Sequence, residues 1–75
     1  MNALILSRAN PPCAYCDKAK ALLQKHGVLF TEIDITAHES TTQLFKAFGY
    51  SSVPIILLDG TPIGGYTELL SILGE

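Results

Sequence analysis

The first constraint on this chain is a short strand that has no polar face. Ala3–Leu6 is a continuous apolar run, and the turn formers "SRANPP" follow it. Because successive side chains of a strand point to opposite faces, such a run predicts a strand buried on both sides. A chain of 75 residues has room for one limited core. We therefore expect a single domain over 1–75, with a sheet covered on both faces.

The first half of the chain alternates between helical and extended patterns. Residues 14–26 carry apolar side chains at helical spacing, and Gly27 is positioned to end that helix. The stretch "VLFTEIDIT" alternates as a strand does. A second helix is predicted over 40–48, with Gly49 after it. Its buried edge would consist of Leu44, Phe45 and Phe48.

The second half is typical of a hairpin followed by a helix. Ile55–Leu58 and Thr61–Ile63 are the predicted strands, and Asp59-Gly60 between them favours a type I′ turn. The tail "YTELLSILGE" predicts a helix buried through Leu69, Leu70 and Leu73. The order is therefore β-α-β-α-β-β-α, with the first two strands parallel and joined by a right-handed crossover. We expect an α/β fold with a four-stranded mixed sheet flanked by helices.

Composition argues against several classes of partner. The net charge is −2 and the five basic residues are scattered, which argues against nucleic acid or an anionic membrane. No apolar run is long enough to span a bilayer, and the N-terminus lacks the basic leader of a signal peptide. We expect a cytoplasmic protein. In that reducing compartment a cysteine pair is more often catalytic or metal-binding than structural.

The two cysteines lie at the predicted start of the first helix. Backbone N–H groups at a helix N-terminus have no acceptor inside the helix, so they favour an anion such as a thiolate. In such a place the pKa of a thiol falls from about 8.5 into a range of about 3.5–7.5. Arg8, after the first strand, would add positive charge. This predicts Cys13 as the nucleophile and Cys16, one turn later, as the resolving thiol.

A cysteine pair has two other common uses. A zinc site needs about four ligands, and the further candidates, His26 and His38, do not have the spacing of a zinc finger. A purely structural disulfide would close a very small loop and would add little stability. Thiol chemistry is favoured over both, and no metal ligand is assigned.

Three separated motifs together resemble one family. "CAYC" is similar to the Cys-Pro-Tyr-Cys active site of glutaredoxins, and "SSVP" is similar to their Thr-Val-Pro segment. "GGYTELL" resembles the Gly-Gly motif that leads into their last helix. The chain is thus identified as resembling a short, dithiol glutaredoxin of the thioredoxin-fold superfamily over essentially its whole length.

The resemblance implies a glutathione-dependent thiol–disulfide oxidoreductase. Cys13 would form the mixed disulfide with glutathione, which acts as co-substrate, and no prosthetic group is expected. Pro54 would be cis, and Val53 would offer its backbone to an extended peptide. The residues expected to bind glutathione are Arg8, Tyr15, Val53, Pro54, Gly65, Tyr66 and Thr67. The implied partners are glutathione and disulfide-containing client proteins such as ribonucleotide reductase. The protein is expected to be a monomer.

The chain departs from the glutaredoxin pattern at one residue of the cysteine motif and one residue of the Gly-Gly motif. Ala14 replaces the motif proline, a change associated in the family with a [2Fe–2S] cluster bridged by two chains and two glutathiones. Thr67 stands where an aspartate is common, and Glu68 could replace that charge. Two alternatives therefore remain beside the enzyme. One is a dimeric cluster carrier, and the other is a redoxin reduced by thioredoxin reductase, although its usual Trp-containing tail is missing.

Overall fold

The computed structural model describes residues 2–9, 12–49 and 52–74. Their elements alternate as predicted: β1 (Asn2–Ser7), α1 (Ala14–Lys25), β2 (Leu29–Asp34), α2 (Glu39–Ala47), β3 (Ile55–Leu58), β4 (Thr61–Gly64) and α3 (Tyr66–Leu73). Some residues of the predicted turns and tail lie outside the described residues: Asn10, Pro11, Ser51 and Glu75. Across the described part, no helix combines the length and the apolar character that crossing a membrane requires.

The strands form one mixed sheet in the order β2-β1-β3-β4. β1 and β2 are parallel, whereas β3 is antiparallel to both β1 and β4. β1 is therefore an inner strand, as its uninterrupted apolar run predicts. This topology confirms the thioredoxin-like fold, and it places the end of β1 and the start of α1 at one edge of the sheet.

The core has two halves, one on each face of the sheet. On one face Ile5 and Ile56 pack with Leu23 of α1 and Leu69 of α3. On the other face the buried residues Leu6, Ile35, Ile55 and Leu57 form a second cluster, against which two phenylalanines of the α2 region pack, Phe45 and Phe48. Because neighbouring residues of β1 contribute to opposite clusters, the four inner positions Ala3–Leu6 are all apolar.

The second helix is attached less deeply than the sequence pattern suggests. None of the nine residues of α2, all of them described, is fully buried, and Leu44 is 39 % exposed. The prediction that Leu44 lies on the buried edge is therefore wrong. Leu44 is four residues before Phe48 and so shares a side of the helix with it, but only Phe45 and Phe48 reach the buried cluster of the sheet. The helix is also held at its start, where the hydroxyl of Thr41 donates to the backbone oxygen of Asp34 at 3.2 Å.

The hairpin has the turn that its sequence predicts. Asp59 and Gly60 both have positive φ, 49° and 85°, as a type I′ turn requires. The turn is tied to the first strand, because the N–H of Asp59 donates to the backbone oxygen of Asn2 at 2.8 Å. In return the N–H of Asn2 donates to the Asp59 carboxylate at 2.9 Å. β3 and β4 are thereby fixed against β1, which carries the chain into the cysteine pair.

Candidate active site

The cysteine pair forms a disulfide at the start of α1. Cys13 is the residue that caps the helix, and its Sγ accepts a hydrogen bond from the N–H of Cys16 at 3.1 Å. Cys13 is 8 % exposed and Cys16 is 1 % exposed. When the disulfide is reduced, the same N–H and the helix dipole can stabilise a thiolate on Cys13. The cysteine that is better placed to react is therefore also the more exposed residue.

The fold brings the other two motifs to the same end of the molecule. The Val53–Pro54 peptide bond is cis, as expected from the sequence. A side chain at Gly65 would put its Cβ 3.3 Å from the backbone oxygen of Pro54, so the start of α3 packs closely against the proline segment. The ring of Tyr66 lies 6.0 Å from the ring of Tyr15, which stands between the two cysteines. All three sequence motifs thus meet at one site.

The start of α3 is capped by its own carboxylate. Glu68 Oε1 accepts the N–H of Gly65 at 2.7 Å, a contact that the sequence analysis did not predict. Gly64 has a φ of +113°, and a Cβ there would lie 2.5 Å from the same oxygen. Glycine at this position therefore leaves the space in which the carboxylate sits. Negative charge is accommodated at the N-terminus of α3, beside Tyr66 and Thr67.

A charged cluster lies on the opposite side of the cysteine pair, and the sequence analysis missed it. The hydroxyl of Ser7 donates to Glu32 Oε2 at 2.6 Å, and Lys20 Nζ donates to the same oxygen at 3.0 Å. Lys20 Nζ is also 3.4 Å from Asp17 Oδ1. Ser7 is the one buried polar side chain among the described residues. The spacing contained a signal, because Lys20 follows Cys16 by four positions and so shares its helix face.

This cluster and the disulfide share a cavity of about 330 Å³, lined among others by Arg8, Cys13, Cys16, Asp17, Lys20 and Glu32. The hydrogen bond from Ser7, and then that from Lys20, hold the pKa of Glu32 below its usual value. Hydrogen bonding to Glu32 raises the pKa of Lys20. Lys20 and Glu32 are therefore both charged over a wide pH range. Arg8 lines the same cavity.

We expect Glu32→Gln to lower the free energy of unfolding by about 0.5–1 kcal/mol at pH 7, because both side chains of the pair are partly exposed. The pKa of Glu32 is lowered in the folded state, so its contribution is present above the unfolded value of 4.5. It is lost as pH falls through the folded value. The pKa of Lys20 is raised, so its contribution is lost only as pH rises above 10.5.

Urea unfolding of both proteins between pH 3 and pH 9 measures this difference. Lys20→Met is the matched variant, since it removes the other partner of the same pair. The two losses should be similar at pH 7, should not add in the double variant, and should disappear in acid. If the loss of unfolding free energy stays constant down to pH 3, the packing of the side chains and not their charge is responsible.

The two histidines that were the remaining candidates for a zinc site lie at helix ends. His26 ends α1 and His38 caps the start of α2. Within residues 2–9, 12–49 and 52–74, no three His, Cys, Asp or Glu side chains are grouped as metal ligands would be. Among the residues expected to contact glutathione, Gly65 packs against Pro54 and Tyr66 lies beside Tyr15, whereas Arg8 lines the charged cavity.

A cysteine pair at a helix start, together with a cis-proline on this sheet, is the arrangement of a thiol–disulfide oxidoreductase of the thioredoxin fold. Comparison with known proteins shows which family of these oxidoreductases the chain resembles. The glutaredoxin family model matches residues 4–63. The chain belongs to the glutaredoxin family.

Individual proteins agree with this assignment. Glutaredoxin 1 of Rickettsia prowazekii (strain Madrid E) is 40 % identical over 66 residues, which cover 84 % of this chain and 70 % of the relative. Glutaredoxin 3 of Escherichia coli (strain K12) is 38 % identical over 61 residues, covering 80 % of this chain and 74 % of the relative. A buckwheat glutaredoxin–glutathione complex covers 96 % of this chain and 78 % of its own, with a TM-score of 0.74. Its sequence identity of 20 % shows a shared fold alone.

Proposed function

We propose that this protein is a glutathione-dependent oxidoreductase that reduces protein disulfides and glutathionylated thiols. The observation that carries the proposal is the meeting of the cysteine pair, the cis-proline and the start of α3 at one site. A tripeptide bound along Pro54 and Gly65 would have its sulfur beside Cys13. Membership of the glutaredoxin family supports the same substrate.

The reaction with a disulfide client proceeds in two exchanges. The Cys13 thiolate attacks one sulfur of the client disulfide, a mixed disulfide forms, and the other client sulfur leaves as a thiolate. The thiol of Cys16 then loses its proton to solvent and attacks Cys13. This second exchange releases the reduced client and forms the Cys13–Cys16 disulfide, which is the state that the structure contains. The client gains two electrons, and the cysteine pair loses them.

Glutathione returns the protein to the dithiol. One glutathione thiolate attacks the disulfide at Cys13 and releases Cys16. A second glutathione attacks the mixed disulfide, leaving as oxidised glutathione and restoring the Cys13 thiolate. A glutathionylated thiol needs Cys13 alone, because that cysteine takes the glutathione directly and a second glutathione removes it.

The start of α3 is suited to the γ-glutamyl end of glutathione. N–H groups in the first turn of a helix have no acceptor within the helix, so those of Tyr66 and Thr67 can donate to a carboxylate. The Glu68 carboxylate, held 2.7 Å from the N–H of Gly65, supplies a negative charge for the neighbouring amine. Tyr15 would flank the cysteine end of the tripeptide, and the backbone of Val53 would pair with it. Arg8 has the least support as a glutathione-binding residue, because it lines the charged cavity and not the surface around Tyr15 and Tyr66.

We place the enzyme in the cytoplasm, as a monomer, with ribonucleotide reductase among its clients. The cytoplasm supplies the glutathione that the reaction consumes. The choice of this client rests only on the resemblance to short glutaredoxins.

The deciding experiment follows the reduction of a glutathionylated peptide with two electron sources. One reaction contains glutathione and glutathione reductase, and the other contains thioredoxin reductase. We expect turnover with glutathione alone. Turnover only with thioredoxin reductase would contradict the proposal and would favour the redoxin alternative. A brown protein after anaerobic purification, inactive with either source, would instead favour the cluster carrier.

A further inference from the structure

An open groove runs between α1 and α3, away from the charged cavity. It has a volume of about 460 Å³ and is lined by Lys18, Ala21, Leu22, Lys25, Tyr66 and Leu70. We call it the α1/α3 groove. Its floor is apolar, because Leu22 belongs to the core and Leu70 is packed against it. Such a surface offers an apolar contact to a chain that lies along it.

One end of the groove lies beside Tyr15, the residue next to Cys16 in the chain. Tyr66 lines the groove, and the ring of Tyr66 is 6.0 Å from that of Tyr15 in the "CAYC" motif. The ammonium of Lys18 lies 5.3 Å from the centre of the Tyr15 ring. A polypeptide joined through a disulfide to Cys13 can therefore pass the two tyrosines and continue directly into the groove.

The charge of the groove is opposite to that of the whole protein. The chain carries a net charge of −2, yet the charged side chains that line this groove, among the described residues, are Lys18 and Lys25. The nearby carboxylate of Asp17 lies on the other side of α1, where it pairs with Lys20. The carboxylate of Glu68 is held at the start of α3. The groove therefore complements an acidic chain.

We propose that the α1/α3 groove binds the segment of a client protein next to its reactive cysteine, and that it selects acidic segments with an apolar residue between the acidic ones. The inference rests on the proposed function, since it assumes a mixed disulfide between Cys13 and a client protein. It adds the class of client, which the cysteine pair itself does not specify.

The geometry sets the spacing of the acidic residues. Helix positions rise about 1.5 Å and extended residues about 3.3 Å, so Lys18 lies about two or three client residues from the cysteine bound to Cys13. Lys25 lies seven helix positions further on, or about three more client residues. The preferred segment thus has acidic residues at about the third and sixth positions from its cysteine. An apolar residue between them would face Leu22 and Leu70.

The test compares three disulfide-bonded peptides that differ in four side chains. They carry Glu, Gln or Lys at the third and sixth positions on both sides of the cysteine, with leucine between, so that chain direction does not matter. With glutathione as reductant, kcat/KM for the Glu peptide should exceed that for the Gln peptide about fivefold, the effect expected of two exposed ion pairs. The difference should lie in KM and should vanish in about 1 M salt.

The charge-reversed variant Lys18→Glu/Lys25→Glu supplies the internal control. Its preference should turn to the Lys peptide, and the ratio between peptides cancels any common change in its activity. A variant that ranks the peptides as the unaltered protein does would overturn the inference.

A second measurement does not depend on turnover. Peptides with Ser in place of Cys are titrated into the oxidised protein, and backbone amide shifts are followed by NMR. Shifts of Ala21, Leu22 and Leu70 with the Glu peptide support the groove even if glutathione reduces none of the peptides, in which case only the proposed function fails. Equal turnover of all three peptides, with no shifts in the groove, would overturn the inference and leave the function intact.

Discussion

Cys13→Ser should reduce the turnover of glutathionylated peptides and of protein disulfides to background. The nucleophile of the reaction is a thiolate, and a serine hydroxyl is not ionised at neutral pH by the same helix terminus. Cys13 is also the cysteine whose sulfur accepts the N–H of Cys16. The measurement is glutathione-coupled turnover of each substrate, together with a circular dichroism spectrum to show that the variant is folded.

Cys16→Ser is the matched control, since it removes an equal thiol one turn away. Cys16 is 1 % exposed, and its proposed role is to resolve the mixed disulfide. This variant should keep its turnover of the glutathionylated peptide and lose most of that of the protein disulfide, because only external glutathione is left to resolve the mixed disulfide. Activity that survives in Cys13→Ser but not in Cys16→Ser would mean that Cys16 is the nucleophile and Cys13 the resolving thiol. Activity on the protein disulfide in both variants would refute the mechanism.

Leu23→Ala should have the largest effect on stability, lowering the free energy of unfolding by about 2–5 kcal/mol. Leu23 is fully buried, where α1 packs against β1, β3 and α3. A domain of 75 residues has a total stability of only about 4–11 kcal/mol. The variant would therefore lose about half of its stability, as measured by urea unfolding at pH 7.

Leu29→Ala is the control for this prediction. It makes the same chemical change only six positions along the chain, but Leu29 is 74 % exposed. Its effect should remain within about 0.5 kcal/mol, since no buried contact is lost. If both variants were destabilised equally, the packing of α1 on the sheet described here would be wrong.

The sequence by itself determined the elements and most of the fold. The apolar run Ala3–Leu6, the helical spacing after Cys16 and the Asp59-Gly60 turn each depend on local geometry, and all three are confirmed. The chemistry at the start of α1 was also predictable. It follows from where a cysteine stands relative to the first turn of a helix, and both are visible in the sequence.

Only the tertiary structure decided which side chains meet across the sheet. The hydrogen bond from Ser7 to Glu32 joins residues 25 positions apart, and it forms because the parallel register places the ends of β1 and β2 side by side. Leu44 was misplaced for the same reason, since helical spacing says which residues share a face but not how deeply that face is buried. The α1/α3 groove likewise exists only once two distant helices lie on one face of the sheet. Contacts of this kind depend on register and on packing angles, and local sequence patterns do not contain them.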